Sequence, residues 1–224
     1  MKKKVKLIKP NIYLSEKTAI VGSSASILFK KLGKNIDNFG DVIRFNRAQV
    51  KNFEEYVGNK TTIRVVNNTI FERAKPRIGW ERNEDDHDYI QTLNNIKIIT
   101  ISPHIIKQKI KYKNINKSLE YFFIDKKYYK YLITLYFIKN LKIFINLLKI
   151  LKSKKNFSVG LYTILLCVIS GIKPHLYGFD LNEDMNKRSH YWENGGKVGP
   201  YHNLYLEHEI TKQLIELNFI NMNY

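Results

Sequence analysis

The segment SHYWENGGKVGPYHNLYLEHEI, residues 189–210, concentrates side chains that could take part in chemistry. It holds three of the six histidines, His190, His202 and His208, and one of the two tryptophans. Glu207 follows His202 by five positions. Because imidazole titrates near neutral pH, it can take a proton from a hydroxyl group or assist a departing oxygen. The segment therefore supplies candidate acid–base residues.

The sequence after His202 predicts the element that must position it. Apolar residues recur with helical spacing at Leu204, Leu206, Ile210, Leu214 and Leu217. We therefore predict a C-terminal helix with His202 at its start. Glu207 on this helix could orient the imidazole or simply cap the helix, and spacing alone leaves both roles open. A structural role for the histidines also stays open at this point.

A metal site is the main alternative for these side chains. His190, His202, Glu207 and His208 are all possible ligands, but their spacing matches no common zinc signature. The tripeptide Asp86-His87-Asp88 could hold a divalent ion under a sugar diphosphate. It lies in the polar stretch RNEDDHDY, which is more typical of an exposed loop. We therefore predict no metal site.

Short apolar runs predict the strands of a β-sheet. They cover residues 19–21, 41–50, 61–68, 96–103 and 173–181. Several of them end in small polar residues, which is typical of buried parallel strands whose carboxyl ends border a ligand site. Helical patterns such as the one over 159–171 lie between the strands. We predict a single α/β domain over residues 1–224, Rossmann-like, with a mainly parallel sheet.

The stretch TAIVGSSASILFKKLG, residues 18–33, predicts a strand, a tight turn and a helix. The turn begins at Gly22 and continues through Ser23 and Ser24. Such a turn places backbone N–H groups and small hydroxyls at a helix N-terminus, where an anion is stabilised by the helix dipole. Many α/β domains contain this turn without a ligand, so it is weak evidence alone.

Charge and cysteine content narrow the class of protein. The formal net charge of +18 favours anionic partners: nucleic acid, anionic lipid or phosphorylated substrates. A compositional bias toward lysine, asparagine and isoleucine is the competing explanation for this charge.

Cys167 is the only cysteine, which excludes an intramolecular disulfide and suits a reducing cytoplasm. The basic start MKKKVKLIKP has no long apolar run behind it, so we expect neither a signal peptide nor a membrane span there.

Residues 126–155 form a basic segment with many apolar side chains. The segment contains nine lysines and no acidic residue. Charges interrupt it too often for a bilayer span, but as a helix it would be amphipathic. It is either a core helix or helical hairpin with a solvated basic face, or a surface that contacts anionic lipid headgroups.

Four stretches, in order, resemble the sialylmotifs of the animal-type sialyltransferases, glycosyltransferase family twenty-nine. AIVGSSASIL, IDNFGDVIRFNRA and FEEYVGNKTT, within residues 19–62, resemble the long sialylmotif. FSVGLYTILLCVISGIKPHLYGFDL, residues 157–181, resembles the short one. The HYWE tetrapeptide that starts at His190 resembles the third motif, and His202 with Glu207 resembles the very short motif, His-x4-Glu. The C-terminal half alone also resembles the smaller bacterial sialyltransferase family forty-two.

The resemblance implies the GT-A-like fold of sialyltransferases and a specific reaction. Sialic acid would move from CMP-sialic acid to a glycan hydroxyl with inversion, without a metal and without a cofactor. His202 would be the general base, oriented by Glu207, and His190 would contact the donor phosphate. Because a single phosphate leaves, a positioned imidazole or tyrosine could replace the metal that diphosphate donors often need.

The resemblance also implies donor-binding residues. Asn46 would hold the nucleotide, and Ser158 and Gly160 would meet the cytidine or the sialic acid carboxylate. The full set of donor-binding positions is Gly22, Ser23, Ser24, Asn46, Ser158, Gly160 and Tyr191.

Three departures from the family pattern qualify these expectations. Ser23 stands where the family usually has asparagine, which leaves room for another CMP-linked acidic sugar such as Kdo. Val159 stands where threonine or serine is usual. The disulfide is absent, since Thr18 replaces its first cysteine and Cys167 has no partner. Its loss suits a cytoplasmic bacterial or viral enzyme.

Together these observations predict a metal-independent sialyltransferase that acts on a surface glycan precursor, a lipooligosaccharide or capsule. Its partners would be a CMP-sugar donor and a glycan or glycolipid acceptor, with peripheral contact to the anionic inner membrane and no nucleic acid. The alternatives are a transferase for another CMP-linked sugar and a non-enzymatic basic module that binds membrane or nucleic acid.

Overall fold

Nine β-strands form two sheets in the computed structural model of the protein, which describes residues 4–6, 13–67, 93–102, 116, 118–153, 155–181, 190–192 and 202–223. The strands are β1 (Lys4–Lys6), β2 (Tyr13–Ser15), β3 (Thr18–Val21), β4 (Asp41–Phe45), β5 (Ile63–Val66), β6 (Lys97–Ser102), β7 (Glu120–Asp125), β8 (His175–Tyr177) and β9 (Asn221–Asn223). Strands β1 and β2 pair antiparallel as a separate ribbon.

The main sheet has seven strands in the order β7-β6-β5-β4-β3-β8-β9, and every neighbouring pair is parallel. The chain builds outward from β3 to β7 and then returns to place β8 on the other side of β3. The strand order therefore reverses between β3 and β8. In wound α/β sheets, ligands bind beyond the carboxyl ends of the strands at such a reversal.

Six α-helices accompany the sheet within the described part of the chain. They are α1 (Gly33–Asp37), α2 (Glu54–Val57), α3 (Lys126–Tyr136), α4 (Leu141–Lys152), α5 (Val159–Ile169) and α6 (Leu204–Glu216). Helix α5 is buried at every residue from Leu161 to Ile169, so it is the central helix of its layer. None of the described helices combines the length and apolarity that a membrane span requires.

Both faces of the sheet are covered, which is why its central strands are continuously buried. Alternate side chains of β3 enter different cores. Ile20 packs with residues of α3, α4, α5 and α6, whereas Ala19 and Val21 pack with residues of α1 and α2 and with Tyr191. The protein is therefore a three-layer α/β structure with a parallel sheet, which confirms the predicted fold class.

Most predicted elements are present, with corrected ends. The strand predicted over 41–50 stops at Phe45, because Asn46 adopts a positive φ of 43° that ends the extended backbone. The helix predicted after the Gly22 turn is wrong as a continuous element. A short 3-10 helix over Ala25–Phe29 ends at the extended residue Lys30, and α1 begins separately at Gly33. Strands β1, β2, β7 and β9 were not predicted.

A buried arginine, Arg44, fixes the connection that leads from α2 into the amino end of β5. Arg44 on β4 is fully buried and donates hydrogen bonds to Thr61 Oγ1 and to the carbonyl oxygens of Val57, Gly58 and Lys60. Its guanidinium therefore ties the connection between α2 and β5 to the sheet.

We predict that Arg44→Met destabilises the protein by on the order of 3 kcal/mol, because it leaves several buried carbonyl oxygens without a donor. Urea unfolding followed by circular dichroism measures the loss. Lys34→Met, at an exposed lysine of α1, is the control and should shift stability by less than about 0.5 kcal/mol. Equal stability of the two variants would contradict the role given to Arg44.

Candidate active site

The carboxyl ends of β3 and β8 meet through backbone atoms alone. Gly22 N–H donates to the Tyr177 carbonyl (2.7 Å), and Ser24 N–H donates to the Gly178 carbonyl (3.0 Å). A Cβ atom on Gly22 would lie 2.3 Å from the carbonyl oxygen of Gly178, and Gly178 itself has a φ of +64°. Glycine is therefore required at both positions, and the turn after β3 lies at the reversal point of the sheet.

Residues 190–192 dock on this turn. Tyr191 N–H donates to the Ser23 carbonyl (2.9 Å), and the buried Tyr191 hydroxyl donates to the carbonyl of Gln49. His190 stacks on Trp192 with ring centroids 4.6 Å apart and planes inclined by 21°. These contacts hold residues 190–192 beside the Gly22–Ser24 turn, and the donor-phosphate role of His190 stays a prediction.

Tyr191 and Ser24 have structural contacts in addition to their predicted donor-binding roles. The Tyr191 ring packs edge-on against Phe53, at 5.1 Å between centroids. The Ser24 hydroxyl lies 3.1 Å from the Ser26 hydroxyl and caps the 3-10 helix that follows. The turn is therefore constrained by hydrogen bonds of its own chain, through the carbonyl of Ser23 and through the N–H and hydroxyl of Ser24.

Asn46 lies at the carboxyl end of β4, next to β3 in the sheet. Its carbonyl oxygen accepts a hydrogen bond from Arg64 Nη1 (2.7 Å), and its side-chain Oδ1 accepts one from Asn67 N–H (3.1 Å). With Oδ1 engaged in this way, the side-chain NH₂ group is the part of Asn46 that can serve a ligand. Arg64 also binds the Ala48 carbonyl, so it fixes the whole turn that carries Asn46.

The other predicted residues meet where α5 and α6 begin. Ser158 is the N-cap of α5, and its hydroxyl accepts from Leu161 N–H (3.0 Å). Glu207 on the first turn of α6 is buried and accepts a hydrogen bond from Ser158 N–H at 2.7 Å. Asn203 caps α6, so Glu207 is not the helix cap.

His202 immediately precedes α6 and binds the same stretch of chain. Its Nδ1 lies 2.9 Å from the carbonyl oxygen of Asn156, two residues before Ser158. A carbonyl oxygen can only accept, so Nδ1 carries the proton. In the neutral ring Nε2 then has a free lone pair. This is the tautomer that a general base needs, and Asn156 rather than Glu207 directly orients it.

Burial governs the charge of Glu207. Removal from water raises the pKa of Glu207 to about 7, although the Ser158 hydroxyl and N–H oppose the shift. The carboxyl group therefore titrates close to neutral pH while it holds the segment 156–158. Glu207 therefore acts on His202 indirectly: it binds the N–H of Ser158, and the carbonyl of Asn156 in the same segment binds His202.

Phe179 joins the two halves of the site. A Cβ atom on Gly22 would lie 3.0 Å from its ring, and one on Gly160 would lie 3.3 Å from it. The ring also packs edge-on against Phe45 at 6.3 Å. The Gly22–Ser24 turn and the N-terminus of α5 thus face the same aromatic side chain, and the absence of a side chain on both glycines permits the approach.

The structure therefore brings the predicted residues into two groups around Phe179. The first holds Gly22, Ser23, Ser24, Asn46, His190 and Tyr191, and the second holds Ser158, Gly160, His202 and Glu207. Asn156, Phe179 and Arg64 were missed. Of these three residues, only Phe179 could have been found from the sequence, because it directly follows the glycine at the end of a predicted strand.

Metal ligation has no support among the described side chains, where no cluster of three or more histidine, cysteine or carboxylate groups occurs. The tripeptide Asp86-His87-Asp88 and Glu193 lie outside the described residues.

A wound parallel sheet with a glycine turn at its reversal point places the protein in the class of α/β proteins that bind ligands beyond the carboxyl ends of their strands. The chain belongs to glycosyltransferase family 29 (sialyltransferase), whose model matches residues 4–219.

Two solved structures of a mammalian sialyltransferase share the fold, and the match covers 92% of this chain and 68% of each of those chains. Their TM-scores are 0.62 and 0.59 at 18% and 19% identity. The second contains Gal-beta-1-3GalNAc-ortho-nitrophenol.

Sequence relatives match over a shorter stretch. Beta-galactoside alpha-2,6-sialyltransferase 2 of Xenopus tropicalis is 48% identical over 52 residues, 23% of the chain and 10% of that protein. Beta-galactoside alpha-2,6-sialyltransferase 1 of Mus musculus is 46% identical over 59 residues, 26% and 15%. Sialyltransferase-like protein 2 of Arabidopsis thaliana is 45% identical over 49 residues, 22% and 11%. The aligned stretches therefore span only a small part of the relatives' lengths.

We predict that Glu207→Gln makes stability less dependent on pH. The folded-state pKa of Glu207 is raised, so its contribution is fully present below the unfolded pKa and declines as pH rises through about 7. Relative to Glu207→Gln, the wild type should therefore have a lower Tm at pH 8 than at pH 5.

Differential scanning fluorimetry at the two pH values measures this change. Glu209→Gln is the matched control, because Glu209 lies on the same helix and pairs with Lys212 at 3.2 Å. A Tm difference between wild type and Glu207→Gln that is the same at both pH values would contradict the assignment.

Proposed function

We propose that the protein is a sialyltransferase that moves sialic acid from CMP-sialic acid to a glycan hydroxyl by one inverting displacement. The observation that carries the proposal is the geometry of His202, whose Nδ1–H is bound by a backbone carbonyl and whose Nε2 has its lone pair available. Family membership supplies the reaction class, and the tautomer supplies a base suited to it.

The proposed reaction is a single displacement at the anomeric carbon of sialic acid. The acceptor hydroxyl oxygen forms a bond to the anomeric carbon of sialic acid while the bond from that carbon to the phosphate oxygen breaks. His202 Nε2 takes the hydroxyl proton, and CMP leaves with the bonding electrons. The resulting imidazolium keeps its Nδ1–H bond to the Asn156 carbonyl, a hydrogen bond that strengthens as positive charge develops on the ring.

The departing phosphate needs donors at the opposite side of the anomeric carbon. The Gly22–Ser24 turn and His190, which stacks on Trp192, lie together at the reversal point of the sheet and are our candidates for this role. We assign Tyr191 to the same donor side, where its backbone fixes the turn. Donors that are already in place when charge develops lower the barrier without reorganisation.

Nucleotide binding is assigned to Asn46, through its side-chain NH₂ group, and to Ser158 and Gly160 at the N-terminus of α5. Phe179 between Gly22 and Gly160 offers an apolar face for the sugar or base. Ser23 replaces the asparagine typical of the family, so another CMP-linked acidic sugar such as Kdo is the second donor to test.

Acceptor identity belongs to the proposal as well. The vertebrate relatives carry names that specify a beta-galactoside acceptor, so a β-galactoside is the first acceptor to assay. A lipooligosaccharide or capsule acceptor, and a bacterial or viral source, stay predictions, because the named relatives come from animals and a plant.

We predict that His202→Ala lowers kcat by roughly 10²–10⁴-fold with little change in donor KM, since it removes the base and not the donor contacts. CMP release from CMP-sialic acid in the presence of a β-galactoside measures it. His208→Ala, on helix α6 that follows His202, is the control and should retain activity. Unchanged turnover of His202→Ala would assign the base elsewhere.

The same assay tests metal independence. We expect equal CMP release with and without EDTA, and a loss with EDTA that Mg²⁺ or Mn²⁺ restores would overturn that part of the proposal. Parallel assays with CMP-Kdo distinguish the two donors.

A second proposal concerns location: the protein contacts anionic lipid from the cytoplasmic side through α3 and α4. Large apolar side chains are exposed along this part of the chain, at Tyr128, Tyr131, Leu135, Tyr136, Ile138, Leu141 and Ile145. On α4 the exposed stripe of Leu141 and Ile145 continues with Lys149 and Lys152, whereas Ile143, Leu147 and Ile150 face the core. Apolar residues interleaved with lysines fit the interface of an anionic membrane better than a solvated basic face.

We predict that the double variant Leu141→Ser with Ile145→Ser reduces binding to phosphatidylserine vesicles by about 10-fold, because two apolar side chains no longer enter the interface. Flotation against neutral phosphatidylcholine vesicles measures the effect. Leu217→Ser, an exposed leucine after α6, is the control. Equal binding of wild type to both vesicle types would remove the lipid proposal, and salt-dependent DNA binding would favour the nucleic-acid alternative.

A further inference from the structure

Two lysines at the start of α3 differ from the other lysines of the basic segment. Lys126 and Lys130 lie one turn apart on α3 and are half-buried, whereas Lys127, Lys139 and Lys142 are exposed. Only the exposed lysines can contribute to a lipid-facing surface. The half-buried pair therefore needs a separate explanation.

Physical forces oppose positive charge at this position. The N-terminus of a helix carries partial positive charge, so a cation in the first turn is destabilising. Burial lowers the pKa of both lysines, and for Lys126 the charge of Lys130 lowers it further. Within the described ranges no acidic side chain forms an ion pair with either lysine. Asp125 instead caps α3 through the N–H groups of Lys127 and Tyr128.

The pair is held against the site. Lys130 Nζ lies 5.4 Å from the centroid of the Phe157 ring. The Tyr162 hydroxyl donates to the Lys126 carbonyl, and the Tyr162 and Phe157 rings pack at 5.7 Å. Phe157 lies between Asn156, which orients His202, and Ser158, which Glu207 binds. Lys130 therefore lies beside the three-residue segment that positions the proposed base, and the backbone of Lys126 is tied to the same segment through Tyr162.

The position of the two lysines favours a contact with the acceptor substrate rather than with the CMP-sugar donor. Strand β7, which leads directly into α3, is four strands away from β3 in the sheet, and the proposed donor-phosphate contacts are at β3 and β8. Phe157 and the start of α5 lie between the pair and the Gly22–Ser24 turn.

We propose that Lys126 and Lys130 form an anion-binding subsite for the acceptor, so that the preferred acceptor carries a carboxylate or phosphate group close to the hydroxyl that is sialylated. This inference rests on the proposed function. Two ammonium groups one turn apart can share one anionic group, and such charge-assisted hydrogen bonds are stronger than neutral ones.

The test compares three acceptors: an uncharged β-galactoside disaccharide, one bearing a uronic acid carboxylate and one bearing a phosphate monoester. The test variant is Lys126→Gln with Lys130→Gln. Lys127→Gln with Lys139→Gln is the matched control, because it removes the same charge from exposed positions. For the wild type and each variant, kcat/KM is measured with each acceptor, together with donor KM and CMP release without acceptor.

We expect the wild type to prefer one of the anionic acceptors, and the preferred one identifies carboxylate or phosphate. The test variant should lose about 10- to 100-fold in kcat/KM with that acceptor and little with the uncharged one. Its donor KM should not change. The control variant should behave as wild type with all three acceptors.

The Tm of the test variant gives an independent measurement. It should equal or exceed the wild-type Tm, because burial disfavours both lysine charges and the helix dipole also disfavours that of Lys126 in the first turn. A lower Tm would show that the lysines serve stability and would overturn the proposal.

Three kinetic outcomes would also overturn it: no preference of the wild type for an anionic acceptor, equal loss with charged and uncharged acceptors, or a raised donor KM. The last would place the lysines on the donor. If the wild type releases CMP with the uncharged acceptor only, this inference fails while the sialyltransferase proposal stands. If CMP-sialic acid is neither bound nor cleaved, the proposed function itself fails.

Discussion

The hydrogen bond from the Ser158 N–H to the buried carboxyl of Glu207 ties the starts of α5 and α6 together. Everything proposed for the base side of the site depends on it, because the segment 156–158 carries three contacts. The Asn156 carbonyl fixes the tautomer of His202, Phe157 supports Lys130, and Ser158 caps α5. A buried acceptor without its N–H donor would be costly, so the bond also specifies how the two helices pack.

The donor side depends on a different constraint, the close backbone approach of β3 and β8. Gly22 and Gly178 touch through their backbones, with the Phe179 ring beside Gly22 and Ile27 beside Gly178. Phe179 in turn reaches Gly160 at the start of α5. Two independently built groups of residues, one fixed by backbone contacts and one by a buried carboxyl, therefore meet at one aromatic ring.

The lysines of α3 and α4 fall into an exposed group and a half-buried group, and the two groups have different proposed roles. Exposed lysines of α3 and α4 are interleaved with exposed aromatic and aliphatic side chains, and this pattern fits a lipid interface. Lys126 and Lys130 on the first two turns of α3 are half-buried, which disfavours their charge, and a local cost of this kind is expected at functional positions. Net charge alone cannot separate these groups, because each lysine counts equally in the sum.

The sequence by itself determined the family, the parallel α/β class and the helix after His202, because glycine turns, apolar strand runs and helical spacing are local signals. It also named His190, His202 and Glu207. Only the tertiary structure decided that Asn156 rather than Glu207 orients His202, since that carbonyl is 46 residues away and a backbone oxygen has no sequence signature. Strand β9 was missed because it is a three-residue edge strand, whose pairing with β8 is a long-range contact that local patterns do not record.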